Sequence, residues 1–149
     1  MEFWKSDRRP TIKSVMTPFP HSVDIDDPVT EAVAIMRAHG VRHAPVEEGG
    51  RLVGVASQRD IERRVDSARG AASRGRVSVR EVYEPDPYVV DLNTPLDRVL
   101  LEMAARHVGS ALIVRKDKLV GIFTVSDACR VLAQVVRARF APAGGDDAA

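Results

Sequence analysis

The feature that most constrains this chain is that its sequence matches itself. Displaced by 67 positions, Val15 falls on Val82, Pro18 on Pro85, Pro20 on Pro87, and Val23-Asp24 on Val90-Asp91. The match continues without a gap through Pro28 and Pro95, Met36 and Met103, Val41 and Val108, Ala44 and Ala111, Leu52-Val53-Gly54 and Leu119-Val120-Gly121, and Asp60 and Asp127. A repeat of this length means one structural plan used twice, so it is read before any single element is assigned. The copies occupy 15–65 and 82–132, the second prolonged to 140 by its last helix. Residues 1–14 form an N-terminal extension, 66–81 an Arg/Ala/Gly/Ser-rich linker, and 141–149 a tail expected to be disordered.

Each copy predicts the same order of elements. A short extended stretch, Phe19 to Ile25 in the first copy, leads into Asp27-Pro28, which reads as an N-cap followed by proline at the first helical position. Val29, Ala32, Val33 and Met36 then recur at helical spacing, and Leu96, Val99, Leu100 and Met103 repeat that stripe. Gly40 ends the first helix. Two apolar strands flank Glu48-Gly49-Gly50, and two more flank Lys116-Asp117-Lys118, each a hairpin signal. A second helix follows Ser57 and again Thr124, the last carrying Ala128, Val131, Leu132, Val135, Val136 and Phe140 along one face. About 50 residues with short strands leave a sheet face uncovered. The two copies are therefore expected to pack with pseudo-twofold symmetry into an α+β module with a cleft between them, the kind of seam where ligands sit.

The chemistry lies where the last strand of each copy meets its last helix. Gly54-Val55-Ala56-Ser57-Gln58-Arg59-Asp60 and Gly121-Ile122-Phe123-Thr124-Val125-Ser126-Asp127 share the pattern Gly-apolar-x-[Ser/Thr]-x-x-Asp. One reading is a capping box, which would stabilise each helix start by about 1 kcal/mol. The other uses the same geometry for a ligand: the helix N-terminus and the Ser57 or Thr124 hydroxyl face a phosphate, and the Asp60 or Asp127 carboxylate accepts from a ribose diol. Gly54 and Gly121 fit the close approach of a ligand or of a neighbouring chain segment, or mark a bulge.

These paired motifs, their constant offset, the His43-Ala44-Pro45-Val46 strand and the Leu-Val-Gly strand ends resemble the tandem CBS-domain family, whose two repeats form a Bateman module. The resemblance covers 15 to 135 and implies two β-α-β-β-α repeats, a regulatory and non-catalytic role, and adenine nucleotides (AMP, ADP, ATP) or S-adenosylmethionine as regulatory ligands. It also implies that Asp60 and Asp127 bind ribose and that Ser57 and Thr124 contact phosphate. Each site would draw on both repeats. Ser57, Arg59 and Asp60 would be joined by Tyr88, Val108 and Gly109, and Thr124 and Asp127 by His21, Val41 and Arg42. Arg59 offers a cation that its counterpart Ser126 lacks, and Ser110-Ala111-Leu112-Ile113 has lost the proline of the first copy, so unequal affinities are expected. The family's habit of pairing into disc-shaped dimers implies a homodimer, with the output passed to an effector protein.

Composition narrows the alternatives. With 22 Lys and Arg against 21 Asp and Glu there is no global field for nucleic acid or membrane. From Arg59 to Arg80, however, seven arginines oppose only Asp60, Glu62 and Asp66, which leaves open a salt-sensitive nucleic-acid regulator. A purely structural dimerisation module with empty clefts is the other alternative. No apolar run is long enough to span a bilayer and no secretory signal opens the chain, so a cytoplasmic protein is expected. His21, His39, His43 and His107 have no metal-ligand spacing, and the single Cys129 reads as a buried small hydrophobe without a paired base. No Walker A loop or Gly-x-Ser-x-Gly elbow is present, so no enzymatic activity is expected, and the repeats leave almost no chain for a catalytic domain.

Overall fold

The computed structural model describes residues 3–67 and 77–140. The linker arginines Arg69, Arg74 and Arg76 and the tail expected to be disordered lie outside the described residues. The chain divides between Phe19 and Pro20 and again between Tyr88 and Val89 into two compact units.

The unit spanning residues 20–88 contains β2 (Val23–Asp24), α1 (Val29–His39), β3 (His43–Glu48), β4 (Arg51–Ser57), α2 (Gln58–Ser67) and β5 (Glu84–Pro85). Its sheet runs β2-β3-β4-β5, parallel between β2 and β3 and antiparallel elsewhere. Gly49 and Gly50, with φ of 60° and 79°, turn the hairpin; two consecutive left-handed residues match the right-handed twist of its strands. Ala44, Pro45 and Val46 are buried in succession, so β3 has the continuous apolar character of a strand covered on both faces. Helix α1 packs on β3 and α2 on β4, enclosing a core that includes Val23, Ile25, Val29, Ala32, Met36, Val46, Ile61 and Val79.

The other unit repeats this plan with β1 (Thr17–Pro18), β6 (Val89–Asp91), α3 (Leu96–Arg106), β7 (Ser110–Arg115), β8 (Lys118–Thr124) and α4 (Val125–Arg139). Its sheet order is β1-β8-β7-β6. Lys116 and Asp117, at φ of 50° and 63°, replace the glycine pair of the first hairpin. A register shift falls at Val46/Glu47 in one sheet and at the equivalent Ile113/Val114 in the other.

Each sheet takes its outer antiparallel strand from the segment that opens the other sequence copy: β1 pairs with β8, and β5 with β4. The repeat also extends upstream of Val15 and Val82. Ile12 and Val79 are both fully buried in short 3₁₀ turns, Ile12–Ser14 and Val79–Glu81. The Leu96 N–H donates to the Pro10 carbonyl, and the Val29 N–H donates to the Val77 carbonyl, one copy of the same contact in each unit.

Two local expectations are corrected. Asp27 is not the N-cap of α1: Pro28 takes that place in an extended conformation, and the Asp27 carboxylate accepts from the Asp24 N–H instead. A backbone carbonyl, that of Val77, satisfies the first helical N–H, so no side-chain cap is required. Cys129 is exposed, not buried, and of α4 only Asp127 is buried, so the apolar stripe of that helix does not sink into a core.

Candidate functional site

The glycines that precede both motifs are explained by packing. A Cβ on Gly54 would collide with the Glu84 carbonyl and the Tyr83 ring, and one on Gly121 with Met16 Sδ and the Thr17 carbonyl. Those atoms belong to the strands β5 and β1 or to the residue just before them. Two of the sequence readings are realised together: a neighbouring chain segment approaches each glycine closely, and the register shift falls beside it, with Val46 paired to Gly54 and Glu47 to Leu52, and Ile113 to Gly121 and Val114 to Leu119.

The two Ser/Thr-x-x-Asp motifs then differ in how their carboxylates are used. At the start of α4 the capping box is complete. Asp127 Oδ2 accepts from the Thr124 N–H at 2.8 Å and from the Thr124 hydroxyl at 3.0 Å, while the Asp127 N–H donates to Thr124 Oγ1 at 3.3 Å. Arg130 Nη1 donates to the remaining oxygen, Oδ1, at 3.0 Å. The side chain is 11 % exposed. At the start of α2 only half of this forms: the Asp60 N–H donates to Ser57 Oγ at 3.1 Å. The half-buried Asp60 carboxylate accepts no hydrogen bond among the described residues, although Arg63 stands where Arg130 stands in the other copy. Arg59, beside it, is exposed.

Backbone hydrogen bonds tie each motif to the loop that precedes the hairpin of its own unit. Gln58 N–H donates to the Arg42 carbonyl at 2.9 Å, which sets Val41 and Arg42 beside Ser57 and Asp60. Val125 N–H donates to the Gly109 carbonyl at 3.1 Å, which sets Val108 and Gly109 beside Thr124 and Asp127. His21 lies in the same unit as Ser57 and stacks on His39 with ring centroids 4.2 Å apart. Tyr88, half-buried, closes that unit.

A hollow of about 470 Å³ takes in Val108, Gly109 and His107 together with Leu100, Met103 and Val125. In the other unit the corresponding hollow, about 450 Å³, is lined by α1 and α2 from Val29 to Asp66 and includes Gln58, but neither Ser57 nor Asp60.

The arginine-rich stretch is partly spent within the fold. Arg64 pairs with Glu81 at 3.0 Å, and Arg80 with Asp26 at 3.0 Å and Glu48 at 2.9 Å. These contacts raise the Arg80 guanidinium above its ordinary range, with the Glu48 hydrogen bond the largest cause. The sequence reading missed the turn they serve. Ser78 and Glu81 form a capping box on Val79–Glu81, and the Ser78 backbone N–H, helped by Arg64, holds the Glu81 carboxyl below the usual range. The signal was present as Ser-x-x-Glu within residues assigned to linker. No group of three or more potential metal ligands is found among the described residues.

Comparison with known proteins matches the family model described as "CBS domain" twice, over residues 12–67 and 79–134. The CBS domain-containing protein YhcV of Bacillus subtilis is 31% identical over 117 residues, 78% of this chain and 81% of that protein. Among solved structures, the CBS domain pair of protein MJ0100 in complex with 5′-methylthioadenosine and S-adenosyl-L-methionine superposes with a TM-score of 0.70 at 22% identity, covering 86% of this chain and 99% of that one. The CBS domain of a bacterial CNNM/CorC family Mg²⁺ transporter in complex with ATP gives 0.66 at 23% identity, covering 83% and 87%. At these identities the two structures establish the shared fold.

Proposed function

Because the chain belongs to the CBS-domain family and carries two copies of the domain in tandem, we propose that it is a regulatory module whose ligand is an adenine nucleotide or a related adenosyl compound. The observation that carries this reading is the Asp60 carboxylate. It stands half-buried in the first turn of α2, beside exposed Arg59, with no acceptor role inside the fold among the described residues. A ribose 2′,3′-diol supplies two donors for such a carboxylate, and the helix start with Ser57 and Arg59 suits a phosphate or other anionic group.

The remaining ligand contacts in this proposal come from Val41, Arg42, His21 and Tyr88 and from Thr124, Asp127, Val108 and Gly109. Asp127 is the weaker ribose acceptor, because both of its oxygens are already engaged by Thr124 and Arg130. The adenosyl compounds named for the MJ0100 and CNNM/CorC structures support the ligand class.

The module works as a homodimer and passes its ligand state to an effector protein through unequal affinity for two arrangements of the chain. Catalysis is no part of the proposal: the one hydroxyl–carboxylate pair in the motifs among the described residues, Thr124 with Asp127, closes the capping box of α4. The arginine stretch is a structural feature in this reading, since Arg64 and Arg80 already hold the Val79–Glu81 turn.

Isothermal titration with AMP, ADP, ATP and S-adenosylmethionine tests the reading. At least one should bind the wild-type chain, and Asp60→Asn should weaken it about tenfold or more, the loss of one charge-assisted hydrogen-bond pair of roughly 1.5–3 kcal/mol. Asp127→Asn should lower the melting temperature more than it lowers affinity. Equal affinity of wild type and Asp60→Asn would contradict the assignment of Asp60.

A further inference from the structure

The repeat provides an internal control on charge around its two motifs. Near the start of α2 stand Arg42, Arg59 and Arg63, all exposed, and none of the three guanidinium groups is held in an ion pair or hydrogen bond among the described residues. The same positions of the second copy carry Gly109, Ser126 and Arg130. The one cation left there is spent, because Arg130 Nη1 donates to Asp127 Oδ1 at 3.0 Å. At equivalent places, one unit keeps its arginines uncommitted and the other has none to offer.

The backbone gathers these cations. Arg59 and Arg63 are four residues apart on α2 and share a face of it, and Arg63 also follows Asp60 by three. The Gln58 N–H, donating to the Arg42 carbonyl at 2.9 Å, brings the third arginine to the same end of the helix. The acids nearest in sequence do not neutralise the group. Glu62 accepts from Gln58 Nε2 at 3.0 Å and, with Asp66, lines the hollow between α1 and α2, to which neither Arg59 nor Arg63 contributes. Arg64, the next residue, is taken by Glu81. Arg59 and Arg63 lie about 6 Å apart along the helix axis, and Arg42 reaches in from another element. One phosphate meets the nearest of cations spread in this way, whereas a run of phosphates meets them all. Each further phosphate adds negative charge and acceptor oxygens for a guanidinium fork.

We propose that this site selects its ligand by phosphate count: it prefers a nucleoside di- or triphosphate to a monophosphate or to an adenosyl compound without phosphate. Arg59 faces the first phosphate, and Arg42 and Arg63 the outer ones. The inference rests on the adenosyl reading above and adds to it the charge class of the ligand and the part of Arg63.

Isothermal titration of the full, ligand-free chain reads it, in EDTA so that no divalent ion neutralises the phosphates. The probes are AMP, ADP, ATP, S-adenosylmethionine and inorganic tripolyphosphate. Affinity should rise from AMP through ADP to ATP, about tenfold or more in all, with S-adenosylmethionine and tripolyphosphate weaker than ATP. Arg63→Gln and Arg42→Gln should each lower the ratio of ATP to AMP affinity about fivefold, the effect of one exposed charge pair, and leave AMP binding near wild type. Arg51→Gln removes the same charge at the far end of β4 and should leave the ratio unchanged. All three arginines are exposed, so none of these variants should melt differently from wild type. Equal affinity for AMP and ATP, or a ratio that survives both Arg63→Gln and Arg42→Gln, overturns selection by phosphate count and leaves the adenosyl reading standing. A lower melting temperature in Arg63→Gln with an unchanged ratio would show Arg63 pairing with Asp60 as Arg130 pairs with Asp127, and overturns its part. Tripolyphosphate bound as tightly as ATP overturns the nucleoside in the ligand. A chain that binds none of the five overturns both readings.

Discussion

His107 ends α3 in the left-handed region, with φ of 54°, at the position that Gly40 occupies after α1 with φ of 64°. A residue with a Cβ is strained there and glycine is not. Replacing His107 with glycine should stabilise the chain by about 0.5–1 kcal/mol and raise its melting temperature by a few degrees in a thermal scan. Gly54 presents the opposite case. Its Cβ would meet the Glu84 carbonyl, backbone that cannot swing aside, so Gly54→Ala should destabilise by about 1–3 kcal/mol. An unchanged melting temperature for Gly54→Ala would show that β5 can yield. At this scale the sequence was legible in residue type and less so in use. The pattern Ser/Thr-x-x-Asp marked both helix starts, yet it could not tell a carboxylate closed by Thr124 and Arg130 from one left open at Asp60. An arginine follows three residues after the aspartate in both motifs, Arg63 and Arg130, yet only Arg130 pairs with its carboxylate.

Among the elements, the short turn Val79–Glu81 ties together more of its unit than its length implies. Its backbone N–H groups reach the Asp27 and Ile25 carbonyls, and Arg80 spans Asp26 and Glu48. Glu81 completes the capping box, and its depressed pKa, due first to the Ser78 backbone N–H, fixes the sign of its pH dependence. A carboxyl whose folded pKa lies below its unfolded value adds stability above the unfolded value and loses it as pH falls through the folded one. Glu81→Gln should therefore melt below wild type at neutral pH, with the difference closing at pH values under about 4. Asp97, held low by Arg9, acts in the same direction in the other unit. Helices and hairpins were readable from apolar spacing and from Gly49-Gly50, because those patterns are local. The outer strands β1 and β5 were not, since each is two residues long and pairs with a strand read as part of the other copy.

For the whole molecule, the repeat decided the family and the two-unit plan, while no periodicity in the sequence tells which apolar helix face is covered by the chain itself. The exposure of Leu132, Val136 and Phe140 on α4 became visible only in the fold. Among the described residues no helix is long and apolar enough to cross a membrane. The central claim is that this chain binds an adenosyl ligand, and native mass spectrometry of the intact, desalted protein reads it most directly. Titrated with AMP, ADP, ATP and S-adenosylmethionine in turn, the folded chain should gain the mass of at least one of them, with Asp60→Asn losing that adduct first. A folded, ligand-free chain that takes up none of the four at concentrations well above their ordinary cellular range would contradict the account.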